Sequence, residues 1–534
     1  MPSSRRPGAA LLRARAVLVA ACALAPAALA QWNPTAGQWG KSAPGDLRVM
    51  TWNVLDTICS TNVKNNAGNN WAAVARIVAA MQPDVLILQE CGDNSGNGTG
   101  SNVDSVANLA ATVGMFLHGG TDTFRGGTVT QYVQAFAPGY DLPFVFVNSV
   151  TDNFNRNVVL SRHPFADRNG DGHSTQSDIP TITADLYAPG GEGGIRGYMT
   201  AEIDLPDALY AGDLVIGNSH LKAGGQSSDH TQRITAAKNI AYYIDYLWNG
   251  AGGTVPDPRG RIADSPPVTS VLGPNTMFVT GGDLNEDELT NGTDGPVTWI
   301  SRAASATPSG ALADGPDRNR TDLAVDQSLD LFSGSRATFG GSAFKDDYLI
   351  WQDSIGALRR SFVFDASTVT PAGAMPPQVL GFGLGAAQAS AAASDHFPVI
   401  GDFVLPAPIG CNSAGQDLGF ASLGSNGRFP RTAICGALAA GQSATLSLFD
   451  VPANAMAYLG FAFGRGITLV FDGTLVPLGP EVLGPVQADG NGRIDIPIGG
   501  GLGAFAVYAQ WGVVDAGLPS GIVLSNALRI DFLP

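Results

Sequence analysis

Short apolar runs alternate along the first 400 residues with longer stretches in which apolar side chains recur every three or four positions. The runs Val49-Met50-Thr51-Trp52, Val85 to Leu88, Asn157 to Leu160, Val215 to Gly217 and Met277 to Thr280 are too short for helices and read as buried strands. Between them, Val74, Ile77, Val78 and Met81 fall on one face of a helix over Trp71 to about Met81. Asn69-Asn70 caps that helix and Pro83 stops it. A second helix is expected over Ser101 to Val113. A third is expected over Asp229 to Trp248, with Ile234, Ala237, Ile240, Ile244 and Leu247 on its packed face. Gly119 to Pro138 is glycine-rich and has no clear period. Residues 250–274 and 303–338 read as surface loops. Alternation of this kind is the signature of an α/β architecture.

Past Phe403 to Gly410, with Pro406 and Pro408, the pattern changes to short β-rich runs with turn residues about every ten positions. They are Ala444 to Phe449, Ala457 to Phe463, Ile467 to Phe471, Gly492 to Pro497, Ala504 to Gln510 and Leu528 to Phe532, and they predict a small all-β sandwich. Asp489, Asn491 and Asp495 fit a hairpin turn better than a metal loop. The expected division is residues 1–30 as leader, 31–46 as an unstructured lead, 47–405 as the α/β region, 406–410 as linker and 411–534 as the β-sandwich.

Composition narrows the context. Arg5, Arg6, Arg13 and Arg15, an apolar Ala16 to Ala25 and the small residues of Ala28-Leu29-Ala30 form a secretory signal peptide, with cleavage expected after Ala30. Lipoprotein processing at Cys22 is the lesser alternative, because alanines follow it rather than a polar tether. No transmembrane segment is expected elsewhere. Removing the four leader arginines from the 30 basic residues leaves 26 against 46 acidic ones, a net charge of about −20. A chain so acidic is not a coat for polyanions, and any phosphate must be recognised locally. Four cysteines remain after the leader. In an exported protein, their order suggests disulfides of Cys59 with Cys91 and of Cys411 with Cys435. No Cys-x2-Cys spacing supports a zinc site.

The chemistry sits where polar residues end or begin the apolar runs. These are Asn53 after Trp52, Glu90 after Gln89, His220 before Leu221, Asp283 and Asn285 in Gly282-Asp283-Leu284-Asn285, Asp347 before Tyr348, and Asp395-His396 before Phe397-Pro398. Alone, Gly-Asp-x-Asn is ordinary turn chemistry. Taken in order, with Leu160-Ser161-Arg162-His163-Pro164, the set resembles the endonuclease/exonuclease/phosphatase superfamily over about Leu47 to Leu405. The resemblance implies a four-layer α/β sandwich, two packed sheets flanked by helices, with the motif residues delivered to one rim. It also implies Mg²⁺ or Mn²⁺ at Glu90 with Asn53 and Asp395, carboxylate and amide oxygens being suited to hard cations. Asp283 then positions or deprotonates water, Asn285 holds phosphate or water, Asp347 pairs with His396 on the phosphate, and His220 donates the leaving-group proton. Leu55 departs from the pattern, since some family nucleases place a second acid there.

Asp167, Asn169, Asp171 and Asp178 match positions 1, 3, 5 and 12 of a calcium loop, with Gly172 at 6 but Ser174 at the usually apolar position 8. Structural Ca²⁺ and an unliganded acidic turn both fit. Arg162 reads as a structural clamp, while Lys222 and Arg233 fit phosphate contact and solvated surface equally. The resemblance points to a secreted metal-dependent phosphodiesterase acting on DNA or RNA. A sphingomyelinase-like or small phosphoester hydrolase, and a non-catalytic binding protein on the same scaffold, are the alternatives.

Overall fold

The computed structural model describes residues 32–92, 104–152, 155–167, 177–182, 198–249, 262–265, 268, 272–290, 295–302, 324–353 and 355–534. In chain order its first 404 residues form β1 (Leu47–Asn53), α1 (Asn70–Met81), β2 (Val85–Cys91), α2 (Val106–His118), β3 (Phe144–Val147), β4 (Arg156–Ser161), β5 (Ser177–Ile182), β6 (Tyr198–Ile203), β7 (Leu214–His220), α3 (Ser227–Asn249), β8 (Ile262–Ser265), β9 (Met277–Asp283), α4 (Pro296–Arg302), β10 (Ala324–Val325), β11 (Asp347–Trp351), β12 (Ala357–Val363), α5 (Ala389–Ala393) and β13 (Val399–Val404). One sheet has the order β12-β13-β1-β2-β4-β3 and the other β8-β5-β6-β7-β9-β11-β10. Only β1 with β2 and β7 with β9 pair in parallel within these sheets.

Side-chain alternation explains the layers. On β1, Leu47 and Val49 join the core between the sheets, while Met50 and Trp52 pack under the helices. Val85 and Ile87 against Leu86 and Leu88 do the same on β2. The second sheet is covered by α3 through Ala236, Ala237, Ile240, Ile244 and Leu247. Successive strand residues point to opposite faces, so a strand buried on both sides reads as a continuous apolar run. The result is the four-layer α/β sandwich. Among the described residues, no helix is long and apolar enough to cross a membrane.

Several elements differ from expectation. α2 begins at Val106 rather than Ser101, capped by the Ser105 hydroxyl on the Asn108 N–H at 3.1 Å, and its apolar face extends through Phe116 and Leu117. The lead is ordered from Trp32, with Trp32–Asn33 pairing with Gln38–Trp39. Both tryptophan rings pack on Phe362, and buried Trp39 donates from Nε1 to the Ala374 carbonyl at 2.8 Å. Indole burial, not backbone periodicity, orders this segment. Gly120–Thr121 and Thr128–Val129 form a small ribbon, and β8 lies in what the sequence presents as a loop.

Beneath the lead, Arg48 of β1 and Asp402 of β13 sit side by side in register and fully buried. Two guanidinium contacts of 2.6 and 2.8 Å join them, and Arg48 Nη1 also donates to the Trp39 and Met81 carbonyls.

After β13 the chain is strand-rich. Gly415–Gly419, Ala527–Phe532, Phe505–Val514, Met456–Ala462 and Glu481–Gln487 form one sheet, and Arg431–Gly436, Ser443–Phe449 and Ile494–Gly499 another. Their shared core holds Ile434, Leu446 and Leu448 with Trp511 and Leu528, an all-β sandwich. Asp489 accepts from the Asn491 and Arg493 N–H groups, and Asp495 pairs with Arg493 at 2.8 Å, so this stretch is a turn. The region touches the root of β9, where Asn275 Nδ2 donates to Asp417 Oδ2 at 2.7 Å.

Candidate active site

The parallel pairs bring the motif residues to one edge. Asn53 ends β1 and Glu90 lies one residue before the end of β2. His220 and Asp283 end β7 and β9 as register partners. Asp347 opens β11 opposite Asp283, and His396 lies in the turn leading into β13. Glycine is required at 282, where φ is +142° and a Cβ would stand 1.8 Å from the Ser219 carbonyl oxygen. Close approach of β7 and β9 there seats His220 beside Asp283.

Hydrogen bonds join the two sheets across the cluster. Asn53 Nδ2 donates to Glu90 Oε1 at 3.0 Å and to Asp283 Oδ2 at 2.9 Å, while Asn53 Oδ1 accepts from the Leu55 N–H. Asp283 Oδ1 accepts from the Asn285 N–H at 2.8 Å, and Asn285 reaches the Leu221 carbonyl at 3.2 Å in a left-handed backbone that suits asparagine. Trp52 Nε1 donates to the His396 carbonyl and Ser394 Oγ to the Asn53 carbonyl, fixing the His396 turn to β1.

Two buried carboxylate–imidazole pairs face each other. His396 Nδ1 contacts Asp347 Oδ2 at 2.8 Å, and His220 Nδ1 contacts Asp152. The far nitrogens converge, His396 Nε2 standing 3.6 Å and His220 Nε2 3.7 Å from Asp283 Oδ2. His220 Nε2 is also 3.5 Å from Glu90 Oε1. Phe339 covers the His396 ring, centroids 5.0 Å apart.

The electrostatics follow from this crowding. Burial opposes the charged imidazole at His220, but Asp152, then Asp283 and Glu90, outweigh it and raise its pKa from 6.5 to about 9. Burial likewise opposes charge at His396, and Asp347, Asp283 and Asp395 hold it well above 6.5. The surrounding carboxylates therefore favour the charged form of both imidazoles, and both Nε2 atoms are turned to the cluster. Burial raises Glu90 above the ordinary carboxylate range, with Asp283 and Asp152 adding to it. Asp346, half-buried beside Asp347, is pushed to about 7 by burial and by Asp283 and Asp347.

Two donor groups have the spacing a cation needs, Glu90 with His220 and Asp283, and Asp283 with Asp347 and His396, their ligand atoms within 4.8 Å of one another. Glu90 and Asp283 fit Mg²⁺ or Mn²⁺ by chemistry, and a desolvated Glu90 gains most from a neighbouring positive charge. The expected grouping of Asn53 and Asp395 with Glu90 differs in both partners. Asn53 turns its amide nitrogen, not its oxygen, to Glu90. Asp395 is exposed, with Ser394 Oγ 3.4 Å away, and belongs to neither donor group. Its backbone carbonyl accepts from the Gly340 N–H, and its carboxylate lies close enough to His396 to favour that imidazole's charged form.

No protein-family model matches the sequence, and no curated relative matches it. Solved structures do. The human Nocturnin catalytic domain with bound sulfate is 12% identical over 68% of this chain and 95% of that chain, with a TM-score of 0.35. An endonuclease/exonuclease/phosphatase family protein from Leptotrichia buccalis is 13% identical over 66% and 98%, with a TM-score of 0.32. Sphingomyelinase C from Streptomyces griseocarneus is 13% identical over 67% and 99%, with a TM-score of 0.29.

Other candidates lie elsewhere. Arg162 pairs with Asp84 at 3.1 Å over the Tyr140 ring, at the opposite end of β2, and is a clamp. Arg233 is buried against Glu286 and the Lys222 and Gly224 carbonyls, whereas Lys222 is partly exposed beside Asp229 at 3.7 Å. His118, His163 and His230 are outside the cluster. Cys411 and Cys435 are bridged. Cys59 and Cys91 are buried but unbridged, correcting the expected second disulfide; the Cys59 sulfur is directed to Thr61 Oγ1 at 3.5 Å. The leader, and Asn169 and Asp171 of the calcium loop, fall outside the described residues; Asp167 is exposed and Asp178 lies within β5. Asp152 and Asp346 are the additions that sequence reasoning missed. Asp152 sits in a polar connection with no motif, and Asp346, the neighbour of Asp347, lies close enough to Asp283 and His396 to feel both charges.

Proposed function

We propose that the chain is an exported, metal-dependent phosphodiesterase, with nucleic acid as the leading substrate. The observation that carries this reading is the convergence of two buried carboxylate-held imidazoliums on one carboxylate, Asp283. That carboxylate is further oriented by the Asn53 amide and the Asn285 N–H. Such a set can aim a water and neutralise an oxyanion without reorganising.

Each residue has work to do. Asp283 orients the water and accepts its proton. Asp347 and Asp152 keep Nδ1–H on His396 and His220, so that each Nε2–H faces the phosphate; His396 steadies the non-bridging charge and His220 supplies the leaving-group proton. Glu90, with Asp283 beside it, would hold Mg²⁺ or Mn²⁺. The ion polarises phosphoryl oxygens when bound. Leu55, 43% exposed next to Asn53, favours an amphiphilic phosphodiester as the second reading.

The deciding experiment is hydrolysis of DNA, RNA, sphingomyelin and a bis-aryl phosphodiester by the chain lacking residues 1–30, with Mg²⁺, Mn²⁺ or EDTA, beside Asp283→Ala. Metal-dependent nucleic-acid cleavage lost in the variant is expected. Cleavage of lipid alone moves the substrate to the second reading, and silence throughout removes the enzymatic one in favour of a binding protein.

A further inference from the structure

Glu90 reaches the cluster because β2 is irregular at that point. The β2–β4 register runs from Leu88 opposite Val158 to Cys91 opposite Arg156, so Gln89 and Glu90 together face the single residue Asn157. That is a β-bulge, the device by which a strand re-aims one side chain. Its second residue, Glu90, has φ +52°, a left-handed conformation that a glutamate adopts only against a steric cost. Something must hold the bulge, and the facing sheet supplies it.

Asn218 of β7, fully buried and two residues before His220, projects its amide into the bulge. Nδ2 donates to the Leu88 carbonyl at 2.9 Å and to the Val158 carbonyl at 3.0 Å, one on each strand flanking the irregularity. Its Oδ1 accepts from Gln89 Nε2 at 2.8 Å, and Gln89 reaches on to Thr51 Oγ1 of β1. A buried carbonyl left without a donor is costly, so one asparagine from the second sheet stabilises the distorted form of the first. On the outer side, the carbonyls of Gln89 and Glu90 accept from the Val54 and Asp56 N–H groups at 3.1 and 3.0 Å.

We propose that Asn218 is a positioning residue for Glu90: it locks the β2 bulge from the opposite sheet and so sets where the carboxylate stands relative to His220 and Asp283. The inference deepens the proposed function and rests on Glu90 holding the cation. The same strand then delivers His220 directly and Glu90 at one remove.

The test uses the chain lacking residues 1–30, with Asn218→Leu, which keeps the bulk and removes the donors, and Asn218→Ser, too short to reach either carbonyl, should the first not fold. Two quantities are read, hydrogen exchange over the segment holding Val54 and Asp56, and Mn²⁺ affinity by electron paramagnetic resonance. Leu247→Ala, which empties part of the α3 packing, serves as a control for lost stability. Faster exchange at 54–56 and Mn²⁺ binding weakened at least about tenfold are expected in the Asn218 variants, with neither change in Leu247→Ala. Unchanged exchange at 54–56, or equal effects in Leu247→Ala, overturns the proposal. Faster exchange while even Glu90→Gln leaves Mn²⁺ affinity untouched upholds the lock and instead overturns the assignment of the cation to Glu90.

Discussion

His396 and Asp347 are both buried and stand 2.8 Å apart, Nδ1 to Oδ2, with the imidazole's other nitrogen turned to Asp283. A carboxylate in that position fixes the tautomer and stabilises the cation. Asp347→Asn removes the charge but not the shape. The rate is expected to fall by about 10²–10⁴, the range for losing one proton-handling group. The alkaline limb of its pH–rate profile should also move down toward the ordinary histidine value of about 6.5. A profile that keeps its alkaline limb would show that His396 is not needed as a cation.

The Asp152–His220 pair gives a stability prediction with a definite sign. The folded-state pKa of His220 is raised from 6.5 to about 9, so its contribution is fully present below about 6.5 and is lost as pH rises through about 9. In EDTA, the melting-temperature gap between wild type and Asp152→Asn should be widest near pH 6 and narrow steadily toward pH 9.5. A gap independent of pH would assign Asp152 a packing role alone.

Glu90 titrates in the opposite sense. Burial raises its pKa, so protons compete with a cation for it at mildly acid pH. Apparent Mn²⁺ affinity should weaken as pH falls from 7 to 5 in the wild type, while Glu90→Gln binds weakly and with little pH dependence. Parallel pH curves for the two proteins would move the ion to other ligands.

Away from the site, Arg48→Met removes both short contacts to buried Asp402 and leaves it only Arg360 Nε at 3.6 Å, and should destabilise by up to about 3–5 kcal/mol. Arg48→Met with Asp402→Leu should recover most of that loss. Thermal unfolding of the two variants checks the order.

Much of this was legible from residue order. Asn53, His220 and Asp283 end strands whose apolar runs are unmistakable, Glu90 stands one residue short of its strand's end, and a parallel pair places such ends together. Asp152 was not legible because its partner is 68 residues away and its own segment has no period. Nor was the bulge, since alternation describes regular strands and Glu90 owes its direction to an irregular one. Asp395 was legible only as a neighbour: adjacent residues in a turn need not be equally buried, and His396 is buried while Asp395 is exposed beside it. The lead was missed because its order comes from two indoles packing on Phe362, a residue more than 300 positions away.

The hydrogen bond from Asn275 to Asp417 gives the C-terminal region a mechanical connection to the chemistry. β9 leaves that contact at Met277 and ends at Asp283, a rod of seven residues and about 20 Å with the proposed water-positioning carboxylate at its tip. Ladders to β7 and β11 hold its register along its length, and Asn53 binds the carboxylate at its tip. The C-terminal region therefore meets the segment leading into this strand at the end opposite Asp283.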